Sequence, residues 1–578
     1  MDRLKVFQIL ILIISSLVIA RLLYWQTIGK ITTVSSYSAE NEIPASRGEI
    51  LAKDNFPLVA NQEAFLIYAQ PQNIDKPQDV AKALAPYLIS EKYATGEASL
   101  AQEELKAKED ETKSQEEEIY QKLTGKNLFW VQLARKVQNS VKEKIESLAI
   151  EGLGFENDQR RFYPEASMAA SLLGFVASDK FGQDTGYFGL EGYYDRILRG
   201  KPGRLAQAQD PFGLPILVGP YRRFPPQKGA SLNLAIDRTI QFIIEQQARL
   251  AVQKYGAKEG TVIVADPASG QIMAMASYPT YNPQLRLAFD EKLYKNPAIA
   301  DTYEPGSTFK LITLAAALDL SKVSPNTICD LCSGPRNIGG YEISTWNKKY
   351  YPDSTVTEII EHSDNIGMTF IADKIGIDKL YEYITKFGFG RNTGIDLQEE
   401  AQGSVRPKEE WKTIDLATAS FGQGISITPI QMIQAVTVIA AGGKLTTPKI
   451  VDIIKKDSQE EKVKPDQTRQ IISAKTAAQV TEIMVNAVEK GEARAFAPKG
   501  YRIAGKTGTA QIPVSGHYDP EKTIVSFVGF APADDPKFVM LVRLTEPSTS
   551  PYGSETAAPA FFEIAKELFN YFGIGPQK

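Results

Sequence analysis

The sequence predicts an α+β protein: an N-terminal transmembrane helix, a mixed extended and helical segment, and a large C-terminal region built on a central antiparallel sheet flanked by helices. Three observations carry this. Val6 to Trp25 reads VFQILILIISSLVIARLLYW, about the length needed to span a bilayer core. Two pairs of apolar runs, each around a turn, stand near the two ends of the C-terminal region, and helical patterns fill the space between them.

In chain order, Arg3 and Lys5 precede the apolar span, Arg21 lies near its far end, and Tyr24-Trp25 suit a membrane interface. The span reads as an uncleaved anchor rather than a signal peptide, since no clear small-x-small site follows it closely. The short N-terminus should stay in the cytoplasm, with the bulk of the chain on the other side. Residues 31–225 form a mixed segment with a turn at Lys53-Asp54-Asn55. Residues from about Ala81 to Glu146 look helical and polar, and the acid-rich stretch Glu103 to Glu118 reads as a solvated helix face. Composition shifts at Pro225-Pro226-Gln227-Lys228-Gly229, which places a boundary there. The expected domains are therefore 1–30, an anchor; 31–225; and 226–578.

Beyond the boundary, Ile236-Asp237 leads into a helix, TIQFIIEQQARLAVQKYG. Thr261–Ala265 and Gln271–Met275 flank Pro267-Ala268-Ser269-Gly270 as a β-hairpin. Helices follow Ser307 and cover Asp364 to Phe387. The stretch Lys455 to Gln470 is expected to be a solvated loop. A second hairpin joins Thr523–Ala531 to Lys537–Leu544, and a last helix runs from about Ala557 to Phe572.

Composition narrows the function classes. At 578 residues the chain should hold two or more domains. A formal net charge of -4 argues against a nucleic-acid partner. The only histidines are His362 and His517 and the only cysteines Cys329 and Cys332, too few for a four-ligand zinc site or a Ser-His-Asp triad. No metal or cofactor is expected. Cys329-x-x-Cys332 reads as a structural or incidental pair, since nothing around it has a thioredoxin-like pattern.

One tetrapeptide carries chemistry. Ser307-Thr308-Phe309-Lys310 is the only Ser-x-x-Lys in the chain, set between Glu304-Pro305-Gly306 and the apolar run LITLAAALDL. A serine hydroxyl is a poor nucleophile until a base takes its proton. On a helix, residues three apart share a face, so Lys310 can sit beside Ser307. To act as base the lysine must be neutral, which requires burial or a nearby positive charge. Lys506, in the chain's only Lys-Thr-Gly (Lys506-Thr507-Gly508), can supply that charge. Ser363-Asp364-Asn365 lies between the two motifs; Ser-x-Asn also occurs at Ser231 and Ser324, so this element is weak alone. His362 beside it reads as packing or surface.

The ordered trio is the signature of penicillin-binding proteins and class A β-lactamases. With Tyr303-Glu304-Pro305-Gly306, Phe421-Gly422-Gln423-Gly424-Ile425, Thr428-Pro429-Ile430-Gln431-Met432 and Ala504-Gly505-Lys506-Thr507-Gly508-Thr509-Ala510-Gln511, the chain resembles class B penicillin-binding proteins over nearly its whole length. Arg47-Gly48-Glu49-Ile50 and Gly189-Leu190-Glu191 match more loosely. Two positions depart from the family pattern: Lys53-Asp54-Asn55-Phe56, where an Asp-Arg-Asn-Gly turn is usual, and Pro297, where arginine is frequent.

The resemblance implies an elongated pedestal over 31–225 for dimerisation or partner binding, and a transpeptidase (penicillin-binding) domain over 226–578. It implies a peptidoglycan D,D-transpeptidase that cross-links stem peptides through an acyl-enzyme on Ser307 and is blocked covalently by β-lactams. Lys310 would be the base, Ser363 a proton relay toward the leaving amine, and Asn365 a holder of the lysine and the substrate amide. Backbone N–H groups of Ser307 and Thr509 would form the oxyanion hole. Thr507 and Thr509, with Lys506, would bind the terminal carboxylate, and Gly508 would let the strand approach the substrate. A glycan polymerase of the SEDS type and other division or elongation proteins are the implied partners, at the cytoplasmic membrane of a bacterium. The competing readings are a β-lactam hydrolase or sensor and a catalytically idle assembly factor. A Glu-x-x-Leu-Asn deacylation element is absent, and so is a glycosyltransferase-type Glu-Asp-x-x-Phe from residues 31–225.

Overall fold

The computed structural model describes residues 3–24, 26, 38–90, 102–125, 128–180, 182–208, 221–463, 468–514 and 517–577. Trp25, expected at the membrane interface, lies outside them. Helix α1 (Arg3–Tyr24) contains the apolar span Val6–Tyr24, 19 residues with a mean hydropathy of 2.5 and none of it buried. At about 1.5 Å per residue it matches the roughly 30 Å hydrocarbon core.

The chain divides into two units, the first drawn from residues 1–48 and 196–230 and the second from 49–195 and 231–578. In the first, Gly203–Ala208 pairs antiparallel with Ser38–Ile43 on one side and Tyr221–Phe224 on the other.

The second unit groups residues on both sides of the expected 225/226 boundary because strand pairing crosses it. Ile50–Leu51 pairs in parallel with Ser231–Leu234, which pairs antiparallel with Val451–Lys456. On its other side Ile50–Leu51 meets the long strand Pro57–Ala69, which carries Val131–Val137 and Leu153–Phe162 as further antiparallel partners. The helical expectation from Ala81 to Glu146 holds for Pro77–Ser90, Gln102–Leu123 and Asn139–Glu146 but fails at Val131–Val137. There Leu133 and Val137 fill a core with Ile67, Leu84, Ile119 and Ile145, and long-range pairing overrides the local polar pattern. The segment Lys455 to Gln470, of which 464–467 lie outside the described residues, is solvated as expected but is not a loop at Gln459–Lys462. Val451–Lys456 and Gln459–Lys462 form a hairpin whose outer strand is fully exposed and charged, as suits a sheet edge.

The C-terminal sheet is antiparallel throughout, with strand order β2-β1-β5-β4-β3, where β1 is Glu259–Ala265, β2 Ile272–Tyr278, β3 Ala504–Val514, β4 His517–Ala531 and β5 Phe538–Thr545. Its alternating apolar residues bury one face against two amphipathic helices, α2 (Arg238–Tyr255) and the final helix Ala557–Phe572. Ile244, Ala248, Val264, Phe527, Met540, Phe561 and Leu568 lie in this core. Asp237 starts α2 by accepting from the N–H groups of Thr239 and Ile240. The sheet's other face meets Pro429–Ala440, a mostly apolar helix buried from Pro429 to Ile439, whose Gln431 and Gln434 donate to backbone carbonyls. Because β3 is an edge strand, one side of its backbone is free of strand partners, and the candidate residues gather there.

Candidate active site

Ser307 is not yet in an α-helix. It occupies a 3-10 turn, Gly306–Phe309, which continues into α3 (Lys310–Asp319). Gly306 enters this turn at φ +54°, where a Cβ would meet the Thr509 carbonyl oxygen at 2.6 Å. Gly508 on β3 is equally confined, since its Cβ would meet Ser526 Oγ at 2.5 Å, Thr308 Cγ2 at 2.9 Å and the Pro305 carbonyl oxygen at 3.1 Å. The two glycines let the serine turn and the edge strand close on each other. The close approach that Gly508 permits is thus to the Ser307 turn.

Ser363 is held by a helix ending. In α4 (Val356–Glu361) the chain finishes with Ser363 N–H donating to the Ile360 carbonyl and Asp364 N–H to the Ile359 carbonyl. This is a Schellman pattern, which asks for a left-handed residue at the Ser363 position, usually glycine. Ser363 takes φ +54° and is 3 % exposed, so a serine bears about 1 kcal/mol of backbone strain there. The next residue, Asp364, caps α5 (Asn365–Ile375) through the Ile366 N–H. One helix end and one helix start therefore aim Ser363 and Asn365 at the same point. His362 stacks flat on Tyr351, ring centres 3.9 Å apart, outside this network.

The Ser363 hydroxyl joins the trio. It donates to Ser307 Oγ at 3.0 Å and accepts from Lys506 Nζ at 3.0 Å and Lys310 Nζ at 3.4 Å. Lys310 Nζ also donates to the Ser363 carbonyl at 2.5 Å and to Asn365 Oδ1 at 2.8 Å. The link from Ser307 to the lysine runs through Ser363, where helical spacing alone had suggested direct contact. Lys506 Nζ reaches Thr507 Oγ1 at 3.1 Å, and Thr509 Oγ1 accepts from the Gly553 N–H at 3.0 Å.

Burial sets the charge state of Lys310. Lys310 is fully buried and its ammonium is pushed down to about 7, first by desolvation and then by Lys506; Asp364 and Glu492 oppose this. Burial also lowers Lys506, with Glu492 again opposing. A lysine near 7 is suited to take and return protons at neutral pH.

Three participants were not legible in the sequence. A cleft of about 380 Å³ opens over Ser307, lined by Ser363, Asn365, Thr507 and Thr509 and also by Trp346, Tyr552 and Glu492. Trp346 and Tyr552 come from distant loops and meet with ring centres 5.3 Å apart. Glu492, after the helix Ala474–Glu489, accepts from Thr507 Oγ1 at 3.2 Å. Lone residues in loops carry no local pattern, so only the fold reveals them. Cys329 and Cys332 are joined in a buried disulfide.

Comparison with known proteins decides the family. Residues 260–568 match the model described as penicillin binding protein transpeptidase domain, and residues 42–234 the penicillin-binding protein dimerisation domain. The chain belongs to the penicillin-binding protein transpeptidase family. It is 34% identical over 564 residues to stage V sporulation protein D of Bacillus subtilis, covering 95% of this chain and 82% of the relative. It is 31% identical over 458 residues to a probable peptidoglycan D,D-transpeptidase, PenA, of Neisseria gonorrhoeae, covering 78% and 75%. In fold this penicillin-binding protein resembles a peptidoglycan synthetase from Bifidobacterium adolescentis, with a TM-score of 0.72 at 24% identity over 94% of this chain and 98% of the other.

Proposed function

We propose that Ser307 is the acyl-accepting nucleophile of a peptidoglycan D,D-transpeptidase. The observation that carries this reading is the Ser363 hydroxyl bonded to Ser307 Oγ while facing both lysines. In the acylation step Ser307 Oγ bonds to the carbonyl carbon of the penultimate D-alanine. Its proton passes through the Ser363 hydroxyl to neutral Lys310. The C–N bond of the terminal D-alanine breaks, and the departing amine takes a proton back along the same path. An amine of a second stem peptide then attacks the ester, cross-links the two strands and frees Ser307. A β-lactam enters the first step, but its opened ring stays attached and leaves Ser307 blocked.

Backbone N–H groups of Ser307 and Thr509 serve as the oxyanion hole, the first on the 3-10 turn and the second on the edge strand β3 that closes on it. Asn365 holds Lys310 by its amide oxygen. Thr507 and Thr509, with Lys506 behind them, receive the donor's terminal carboxylate, and Gly508 brings their strand to the serine turn.

The functional division follows the sequence: an anchor over 1–30, a pedestal over 31–225 and the transpeptidase over 226–578. The two family matches, over 42–234 and 260–568, support it. The apolar α1 supports a single-pass anchor, and Arg3 and Lys5 before it favour a cytoplasmic N-terminus with the catalytic domain outside the cytoplasmic membrane of a bacterium. A SEDS-type glycan polymerase and other division or elongation proteins are the proposed partners.

The test is a reconstituted reaction with a D-alanyl thioester donor and a D-amino acid acceptor. Aminolysis product from wild type supports the transpeptidase. Rapid nitrocefin turnover would favour a β-lactam hydrolase, and silence in both assays an idle assembly factor.

A further inference from the structure

Glu492 is the one charged side chain among the described residues that line the cleft. Both lysines of the site lie behind the cleft surface, with Lys310 fully buried and Lys506 4 % exposed. Glu492 Oε2 accepts a hydrogen bond from Thr507 Oγ1 at 3.2 Å, and Thr507 Oγ1 in turn accepts from Lys506 Nζ at 3.1 Å. The hydroxyl and the ammonium that would receive an incoming carboxylate are therefore already facing a carboxylate of the protein. A donor that ends in a free carboxylate must draw Thr507 away from Glu492 and bring a second negative charge beside it. The backbone fixes this arrangement: Glu492 follows Gly491, where a Cβ would meet the Ala487 carbonyl oxygen at 2.2 Å, so the turn is packed against the helix end and cannot shift freely.

We propose that Glu492 is a specificity-determining residue that weighs the site against anionic acyl donors, β-lactam carboxylates included, relative to donors uncharged beyond the scissile bond. The inference rests on the transpeptidase reading and adds to it a residue that opposes the donor's terminal carboxylate where Thr507, Thr509 and Lys506 receive it. In a shielded cleft two carboxylates a few ångströms apart repel strongly enough to change affinity by about tenfold or more.

The test compares two benzoyl-D-alanyl thioesters, one with a carboxylate on its leaving group and one with a carboxamide there. Both are measured at about pH 8.5, above the Lys310 value, so that the comparison reports donor charge rather than protonation of the base. In Glu492→Gln the ratio of kcat/KM for the anionic over the neutral donor should rise about tenfold over wild type, chiefly through KM, and high salt should shrink the difference. Glu492→Asp, which keeps the charge, should hold the ratio near the wild-type value. An unchanged ratio in Glu492→Gln, or an equal rise in Glu492→Asp, overturns the proposal, because a purely structural role would move both donors together. Failure of wild type to accept either thioester would instead count against the transpeptidase reading.

Discussion

Replacing Lys506 by methionine removes one positive charge while keeping the length and apolar stem of the side chain. Lys310 is held at about 7 by burial first and by Lys506 second. Acylation needs the neutral amine, so its rate climbs as pH rises through about 7 and is lost below it. The two nitrogens share Ser363 Oγ, at 3.0 and 3.4 Å. They are therefore about 6 Å apart at most, and at an effective dielectric constant of about 20 their repulsion is about 3 kcal/mol, or about two pH units. Burial is the larger cause and stays in place, so the variant should move the acid limb of the acylation profile upward by about one to two units. The sign is fixed: losing a like charge makes Lys310 easier to protonate, so more alkaline solution is needed to free it. The assay is the second-order rate constant for labelling by a fluorescent penicillin between about pH 5.5 and 9.5. On the proposed reading, in which Lys506 also faces the donor, the absolute rate falls at every pH, but the midpoint is the readout. A midpoint that stays put, or moves to lower pH, refutes the assignment of Lys310 as the base tuned by Lys506.

Other outcomes follow from the same geometry. Asn365→Ala removes the acceptor 2.8 Å from Lys310 Nζ and should slow labelling by about a hundredfold with little change in melting temperature. Gly508→Ala pushes a methyl group into Ser526, Thr308 and Pro305, and should cost about 1–3 kcal/mol in denaturant unfolding and slow acylation through displacement of the Ser307 turn. Lys310→Met exchanges a buried ammonium for an apolar chain. It should abolish labelling and remove the pH dependence of stability that the buried ammonium imposes. The pH dependence checks the cause. The folded value near 7 lies below the ordinary 10.5, so wild-type stability should climb with pH between these values, and the variant should lose that slope.

Patterns that depend on near neighbours were readable in the chain. The final helix spans Ala557–Phe572 as expected, both hairpins of the central sheet form, and Asp237 caps its helix. The same holds for the candidate site as far as motifs reach: Ser307, Lys310, Ser363, Asn365 and Lys506 are joined by hydrogen bonds. What escaped depends on distant partners. Val131–Val137 is a strand because Pro57–Ala69 lies beside it, and Val451–Lys456 because Ser231–Leu234 does. The 3-10 turn at Ser307 is set by the glycine-lined contact with β3, which helical spacing does not encode. Trp346, Tyr552 and Glu492 stand in loops without periodicity, and only the folded chain brings them to the cleft.

The central claim is that Ser307 carries the acyl group. Intact mass spectrometry of the protein after incubation with a penicillin tests it most directly, with peptide mapping of the adduct. Wild type should gain one penicillin mass, on the peptide that contains Ser307, and Ser307→Ala should gain none. Stoichiometric modification of Ser307→Ala, or an adduct on another residue of the wild type, would contradict the account.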